Sequence, residues 1–314
     1  MYQLKMYLKK PLFWDKPNLT LCAFLLLPIT LLYYLIFNLK KVFSTRKIFP
    51  TKIICVGNIY LGGTGKTPLS DKISNLLKKY YKVAIIKKNY KEQKDEILFL
   101  QKNNKVFLSQ SRYLAISKAV KKKYNCVVLD DGLQDFSIKK NISIACFTSQ
   151  QGIGNGQIIP SGPLRNSLLN LKKIDIAVIN GNQNKSLEKI LQKYNKNISI
   201  FYTRYIINEP KKFYKKKYFA FSGIGNNINF LSLLKKNNIQ YNDYKFFPDH
   251  YPYSSNDIDL LKKIAKQKKL KLITTEKDFL RINNAQRKNI DFVQVNLFIE
   301  KESMFLRKLL NENN

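Results

Sequence analysis

The feature that most constrains the fold of this chain is a glycine-rich turn directly after an apolar run. Residues 53–56 read Ile-Ile-Cys-Val, and residues 57–68 read Gly-Asn-Ile-Tyr-Leu-Gly-Gly-Thr-Gly-Lys-Thr-Pro. In such a turn successive backbone N–H groups can face one anion, and the positive N-terminal end of the next helix adds to the attraction. The pattern therefore predicts a phosphate-binding loop between a strand and a helix.

The residue types in this loop indicate a nucleotide and a divalent cation. We predict that ATP and Mg²⁺ bind at Tyr60, Leu61, Gly62, Gly63, Thr64, Gly65, Lys66 and Thr67. Lys66 would contact the outer phosphates, and the Thr67 hydroxyl would be a ligand of Mg²⁺. The strict G-x-x-x-x-G-K-[ST] pattern has glycine where this chain has Tyr60, so the loop is atypical. A glycine turn with a chance Lys-Thr pair is the alternative.

The charge balance is extreme, because 56 lysines and arginines accompany only 21 aspartates and glutamates, for a formal net charge of +35. Nucleic acid is one partner of so basic a chain, but the lysines fall on every predicted helix, and no recognition module is apparent. We therefore expect no nucleic-acid partner. An anionic membrane surface or an acidic lipid substrate would be attracted by the same charge. The four cysteines have no C-x-x-C spacing, which argues against a zinc or disulfide framework.

An apolar run without a charged residue extends from Leu19 to Leu39. It is long enough to cross the hydrocarbon core of a bilayer, and Pro28 should kink a helix here. We predict a membrane helix in a membrane-anchoring segment, residues 1–46, that spans the bilayer or dips into one leaflet, with a buried core helix as the alternative. Because the phosphate loop needs cytosolic nucleotide, the remaining chain should lie on the cytoplasmic side.

From residue 52 onward apolar strands alternate with amphipathic helices. This alternation predicts an α/β fold with a mostly parallel, P-loop NTPase-like sheet in a nucleotide-binding domain at residues 47–210. A second, smaller α/β lobe at residues 211–314 is expected to close over the cleft. The predicted strands are 52–57, 82–87, 125–130, 142–147, 174–180, 217–222, 271–275 and 291–296. The predicted helices are 68–80, 111–123, 186–194, 228–236, 255–269 and 300–311.

Two carboxylates, Asp130 and Asp131, end another apolar run at residues 126–129. Alone they would indicate a turn, but with a phosphate loop in the same sheet they are predicted to join Thr67 as metal ligands. Arg165 ends a glycine-rich segment at residues 154–165, and its guanidinium is suited to holding a phosphate oxygen of the substrate.

The single histidine of the chain, His250, lies in the segment Phe-Pro-Asp-His-Tyr-Pro-Tyr at residues 247–253. From the residues alone a structural role and a catalytic role are equally supported. The segment Thr-Thr-Glu-Lys-Asp at residues 274–278 follows an apolar run, and an N-capped helix start is its better interpretation.

Taken together, these segments resemble the tetraacyldisaccharide 4'-kinase family, the inner-membrane kinases of lipid A biosynthesis. The ordered series is more specific than any one segment. The matching stretches are VGNIYLGGTGKTP (56–68), DE (95–96), LDDGLQ (129–134), GNGQIIPSGPLR (154–165), VING (178–181), FSGIGN (221–226), FPDHYPYS (247–254) and TTEKD (274–278).

The resemblance implies transfer of the γ-phosphoryl group of ATP to the 4'-hydroxyl of a tetraacylated glucosamine disaccharide 1-phosphate, an anionic glycolipid of the bacterial inner membrane. It also implies that Asp95 is the catalytic base, that His250 assists it, and that Lys66 acts on the nucleotide. The family's usual Ser-Arg-Gly-Tyr-Gly after the second strand is replaced here by Lys87-Lys88-Asn89-Tyr90-Lys91. The residues flanking the Asp95–Glu96 pair are Lys94 and Ile97 instead of Gly and Pro.

A membrane-associated P-loop ATPase of the positioning or chaperone type is the alternative function. Such proteins usually carry a lysine early in a K-G-G-x-G-K-T loop, where this chain has Leu61. They also lack the Asp-His segment and the segment at 154–165. These three differences favour the kinase.

Overall fold

The computed structural model describes residues 10–90 and 93–311, which form twelve strands and ten α-helices. The strands are β1 (Lys52–Asn58), β2 (Val83–Lys88), β3 (Val106–Ser109), β4 (Cys126–Asp130), β5 (Ile142–Thr148), β6 (Ile176–Asn180), β7 (Ser199–Ile207), β8 (Tyr218–Ser222), β9 (Tyr241–Phe246), β10 (Lys271–Thr275), β11 (Ile290–Val293) and β12 (Val295–Ile299). The helices are α1 (Leu21–Leu25), α2 (Leu27–Val42), α3 (Lys66–Leu77), α4 (Lys94–Gln101), α5 (Arg112–Lys121), α6 (Lys185–Tyr194), α7 (Asn227–Lys236), α8 (Ser255–Gln267), α9 (Glu276–Arg281) and α10 (Glu302–Leu310).

The strands form two sheets. An eight-stranded sheet has the order β12-β7-β6-β5-β1-β4-β2-β3, and a four-stranded sheet has the order β11-β10-β8-β9. The pairs from β7 to β3 are parallel, as are the pairs of the smaller sheet. The predicted α/β fold with a mostly parallel sheet is therefore confirmed.

The chain divides into two compact units. The first contains the chain up to Lys88, the segment Lys105–Arg204 and the chain from Ile299 onward; the second contains Asn89–Asn104 and Tyr205–Phe298. In the first unit β1 and β4 are buried along nearly their whole length, as expected for central parallel strands covered on both faces. In the second unit aromatic side chains of β8 pack with those of its loops, as Phe221 does with Tyr253.

The observed units differ from the predicted division at residues 210 and 211 in two places. Helix α10 belongs to the first unit, because Phe305 packs edge-on against Phe201 of β7 with 5.1 Å between ring centres. Helix α4 belongs to the second unit, where Lys277 of α9 donates a hydrogen bond to Glu96 at 3.0 Å. These long-range contacts carry no local signal in the sequence.

The predicted N-terminal membrane helix is not supported as one that spans the bilayer. The apolar run is divided between α1 and α2 at Leu26, and Pro28 lies in the first turn of α2. Proline lacks an N–H group and fits the start of a helix better than its interior, so Pro28 begins a second helix here instead of kinking one long helix. Across the described ranges, 10–90 and 93–311, every helix is too short or too polar to cross a membrane.

Candidate active site

The phosphate loop has the predicted strand–turn–helix structure in the first unit. Strand β1 ends at Asn58 and α3 begins at Lys66. Gly62 and Gly65 have φ angles of +132° and +85°, in a region where side chains other than glycine are strained. Gly65 is the N-cap of α3, so the first N–H groups of this helix point toward the loop. The arrangement provides a backbone anion site at residues 62–67.

The structure explains how tyrosine replaces the first glycine of the pattern. The Tyr60 ring is buried, and its hydroxyl donates a hydrogen bond of 2.6 Å to Asp15. The Leu61 backbone N–H donates to the carbonyl of Pro163 at 2.7 Å, and Asn58 Nδ2 donates to the carbonyl of Gly62 at 3.1 Å. The side chain of Tyr60 is therefore part of the packed support beneath the loop.

Two buried hydroxyls and one ammonium group surround the Asp130 carboxylate. Oδ1 accepts a hydrogen bond from Ser70 Oγ at 3.0 Å, and Oδ2 accepts one from Thr67 Oγ1 at 3.3 Å. Lys87 Nζ lies 2.6 Å from the same Oδ2 atom. Sequence analysis predicted Thr67 and Asp130 at this site and missed Ser70 and Lys87, although a lysine closing an apolar strand was a visible signal.

Asp131 and Arg165 form an ion pair beside this group. Arg165 Nη1 donates to both carboxylate oxygens of Asp131, at 3.0 and 3.1 Å. Arg165 is fixed by its backbone, since its N–H donates to the carbonyl of Ile59 at 2.7 Å. Burial would raise the pKa of Asp131, but the nearby charges of Lys66 and Arg165 outweigh burial and hold this pKa below its usual range. The structure thus places Arg165 beside the phosphate loop, and its predicted contact with a phosphate oxygen of the substrate stays a prediction.

The donor set fits a magnesium ion better at Thr67 and Asp130 than at Asp131. A hydroxyl and a carboxylate oxygen 3.3 Å apart are hard ligands of the kind Mg²⁺ takes. Both oxygens of the Asp131 carboxylate are instead paired with the Arg165 guanidinium, whereas Lys87 contacts only Oδ2 of Asp130. Among the described residues no three His, Cys, Asp or Glu side chains are grouped to hold a metal, so a magnesium ion would draw its other ligands from phosphate and water.

Asp95 and His250 lie together in the second unit. His250 Nδ1 is 3.3 Å from Asp95 Oδ1, although 155 positions separate the two residues. Asp95 is in the first turn of α4 and only 2% exposed, whereas His250 follows β9 in a loop with a φ of +57°. Sequence analysis assigned the two residues to different lobes. In the structure both residues belong to the second unit, because α4 packs within it.

A second carboxylate and an arginine hold this pair. Arg281 Nε donates to Asp95 Oδ2 at 3.2 Å, and its Nη1 donates to Asp278 Oδ1 at 3.1 Å. Asp278 Oδ1 also accepts from the Gly223 N–H and the Tyr253 hydroxyl, each at 2.9 Å. The N-cap predicted in this segment is confirmed, since Thr275 Oγ1 accepts from the Asp278 N–H at 3.1 Å. Arg281 was missed, although it lies three residues after Asp278 on the same face of α9.

The pKa values of the pair are shifted in opposite directions. The hydrogen bond to Asp95 is the largest influence on His250 and raises the pKa of its imidazole above 6.5. Burial acts to raise the pKa of Asp95, but the hydrogen bond from His250 and the charge of Arg281 together lower it. Asp95 is therefore ionised near neutral pH and can share a proton with the imidazole.

We predict that Arg281→Ala lowers the free energy of unfolding by about 3–5 kcal/mol, because it leaves two buried carboxylates without their common cation. The change would be measured by denaturant unfolding of the whole chain. Lys263→Ala, which removes an exposed charge from α8 of the same unit, should shift this free energy by less than about 0.5 kcal/mol. Equal effects of the two substitutions would contradict the assigned role of Arg281.

Comparison with known proteins identifies a family for this arrangement. The family model described as tetraacyldisaccharide-1-P 4'-kinase, LpxK, matches residues 22–314. A tetraacyldisaccharide 4'-kinase of Pelagibacter ubique (strain HTCC1062) is 40% identical over 317 residues, covering 98% of this chain and 100% of the relative. The corresponding protein of Rickettsia akari (strain Hartford) is 33% identical over 321 residues, covering 96% and 97%.

A solved structure shares the fold. It is LpxK from Aquifex aeolicus in complex with ATP, which superposes with a TM-score of 0.71 at 23% identity and covers 93% of this chain and 99% of that one. At this identity the structural likeness shows the fold alone. The family model and the relatives match the sequence over nearly its full length, and they show the family. The chain belongs to the tetraacyldisaccharide-1-P 4'-kinase family.

Proposed function

We propose that this chain transfers the γ-phosphoryl group of ATP to the 4'-hydroxyl of a tetraacylated glucosamine disaccharide 1-phosphate in lipid A biosynthesis. Family membership over residues 22–314 supports this reaction. The single structural observation that carries it is the phosphate loop, with Thr67 and Asp130 in contact at its end. A loop of this kind supplies the positioning and charge stabilisation on which phosphoryl transfer depends.

In the first unit, the backbone N–H groups of residues 62–67 would hold the phosphates, and Lys66 would stabilise charge on the transferred group. Thr67 and Asp130 would hold Mg²⁺, which would supply positive charge that neutralises the phosphates when bound. Arg165, fixed beside the loop by Asp131, is proposed to contact a phosphate oxygen of the substrate.

In the second unit, the Asp95–His250 pair is proposed to accept the proton of the attacking hydroxyl. One oxygen of Asp95 faces His250 and the other faces Arg281, so the carboxylate is held in a fixed orientation. A base that is oriented in this way lowers the barrier by positioning the hydroxyl and removing its proton during transfer. The His250 side chain is 27% exposed and that of Asp95 only 1%, so the imidazole is the accessible member of the pair.

The kinase proposal is tested with ATP labelled in its γ-phosphate and purified disaccharide 1-phosphate in detergent. Label should appear in the lipid fraction, and its appearance should require Mg²⁺. Release of labelled phosphate to water at the same rate with and without lipid would instead favour the membrane-associated ATPase.

We further propose that the chain acts at the cytoplasmic face of the bacterial inner membrane, where both ATP and the glycolipid are available. Helix α2 exposes an apolar face of a kind that soluble surfaces seldom present. Its exposed apolar side chains include Ile29, Leu31, Leu32, Leu35, Ile36 and Leu39. Lys40 and Lys41 follow them in the last turn of the helix, where they suit anionic head groups.

Placing two carboxylates on this face should weaken membrane binding. Leu32→Glu combined with Ile36→Glu replaces side chains that are 60% and 58% exposed and lie one turn apart. We expect an affinity loss on the order of tenfold or more for vesicles of anionic phospholipid, measured by co-sedimentation. Leu260→Glu combined with Met304→Glu, at exposures of 48% and 50%, is the matched control and should bind like the unchanged protein. Equal binding by both double variants would argue against docking through α2.

A further inference from the structure

The buried contact between Lys87 and Asp130 has no role in the reaction described above. Lys87 lies on β2, which runs parallel to β4 with Ile86 opposite Leu129. The next position on each strand places Lys87 beside Asp130, and their side chains are 3% and 0% exposed. Each charge of this buried pair stabilises the other, because an unpaired charge at either position would strongly destabilise the folded state.

Lys87 also contacts the Asp130 oxygen that a metal ion would need as a ligand. Its Nζ lies 2.6 Å from Asp130 Oδ2, the same oxygen that Thr67 Oγ1 contacts at 3.3 Å. The ammonium group thus shares a carboxylate oxygen with the hydroxyl proposed above as a magnesium ligand.

We propose that Lys87 is an internal cation that neutralises Asp130 when no metal is bound and that a divalent cation must displace from Oδ2. Lys87 thereby sets how much Mg²⁺ the nucleotide site requires. The ammonium group and the metal ion compete for one carboxylate oxygen, so removal of the ammonium group should strengthen metal binding. The same change should lower the stability of the metal-free protein, because it leaves the buried Asp130 carboxylate without a cation. This inference depends on the proposed function only in requiring a magnesium–nucleotide site at Asp130.

The test compares Lys87→Ser and Lys87→Gln with the unchanged protein. A fluorescent ATP analogue is titrated with Mg²⁺, and the half-saturating Mg²⁺ concentration is measured without any lipid substrate. Both substitutions should lower this concentration, by on the order of tenfold, since a full charge leaves the competing position. Lys87→Gln keeps most of the length of the side chain and a neutral N–H donor, so the comparison does not depend on the larger truncation alone.

Thermal unfolding in EDTA without nucleotide supplies a readout that is independent of catalysis. The midpoint should fall by several degrees in both variants, and added Mg²⁺ should restore most of the loss. Lys79→Ser removes an exposed lysine just beyond α3 and is the charge-matched control. It should change neither the half-saturating Mg²⁺ concentration nor the unfolding midpoint.

An unchanged or increased Mg²⁺ requirement in the two Lys87 variants, with normal binding of the analogue, would overturn the proposal for Lys87 alone. Failure of the unchanged protein to bind the analogue at any Mg²⁺ concentration would instead contradict the proposed function.

Discussion

Lys66→Ala is expected to lower turnover by on the order of 10²–10³-fold, the largest loss expected from a single substitution in the phosphate loop. Lys66 is the first residue of α3, directly after the left-handed Gly65, and its charge acts on Asp131 in the same site. Phosphoryl transfer relies on charge stabilisation, so the loss should appear mainly in kcat. Steady-state rates with lipid substrate and saturating Mg²⁺·ATP would measure it.

Lys79→Ala is the matched control for this experiment, because it removes an equal charge from an exposed position near the end of the same helix. It should retain nearly full turnover. Activity of Lys66→Ala within about threefold of the unchanged protein would show that the phosphate loop has been assigned wrongly.

The second large effect is expected at the Asp95–His250 pair. Asp95→Asn keeps the shape of the side chain but removes its charge, and we expect turnover to fall by about 10²–10⁴-fold, the usual contribution of a positioned base. His250→Ala should also reduce turnover. Because the two side chains are in contact at 3.3 Å and act together, the double variant should be little worse than the more damaging single one. Losses that simply multiply would show that the two residues act independently.

The pH dependence of kcat/KM is a second test of the Asp95–His250 pair. The hydrogen bond that the imidazole donates to Asp95 raises the pKa of His250 above 6.5. Protonation of the imidazole as the pH falls removes the pair's capacity to accept a proton, so kcat/KM should decline on the acid side, with a midpoint above about 6.5. This decline should be absent from His250→Ala. Its persistence there would assign the titration to another group, since His250 is the only histidine in the sequence.

The sequence predicted the elements whose local pattern is strong. The run from Ile53 to Val56 followed by glycines indicated both the strand and the loop, because an apolar run and a φ-permissive turn are local properties. Short elements such as β3 and β9 were missed, since four to six residues carry too little periodicity to separate them from loops. The single predicted strand at 291–296 is divided between β11 and β12, which join different sheets.

The residues of the candidate site were likewise predicted where the signal is local and missed where it is not. Lys66, Thr67 and Asp130 were found because motif and spacing place them together. Arg281 and Lys87 were missed because their roles depend on packing between segments far apart in the chain. The apolar run at Leu19–Leu39 was predicted to form one membrane helix, spanning the bilayer or dipping into one leaflet, because composition alone does not show that Leu26 separates two helices or that Thr30 contacts Ser161 at 2.7 Å.

The most direct test of the proposed reaction is the position of the new phosphate in the product. After incubation of the chain with Mg²⁺·ATP and tetraacyldisaccharide 1-phosphate, the lipid is isolated and examined by two-dimensional ¹H–³¹P NMR. We predict a second phosphorus signal coupled to the proton on carbon 4', present with the unchanged protein and absent with Lys66→Ala. A lipid that keeps only its 1-phosphate while ATP is consumed, or that carries the new phosphate on another carbon, would contradict the proposed reaction.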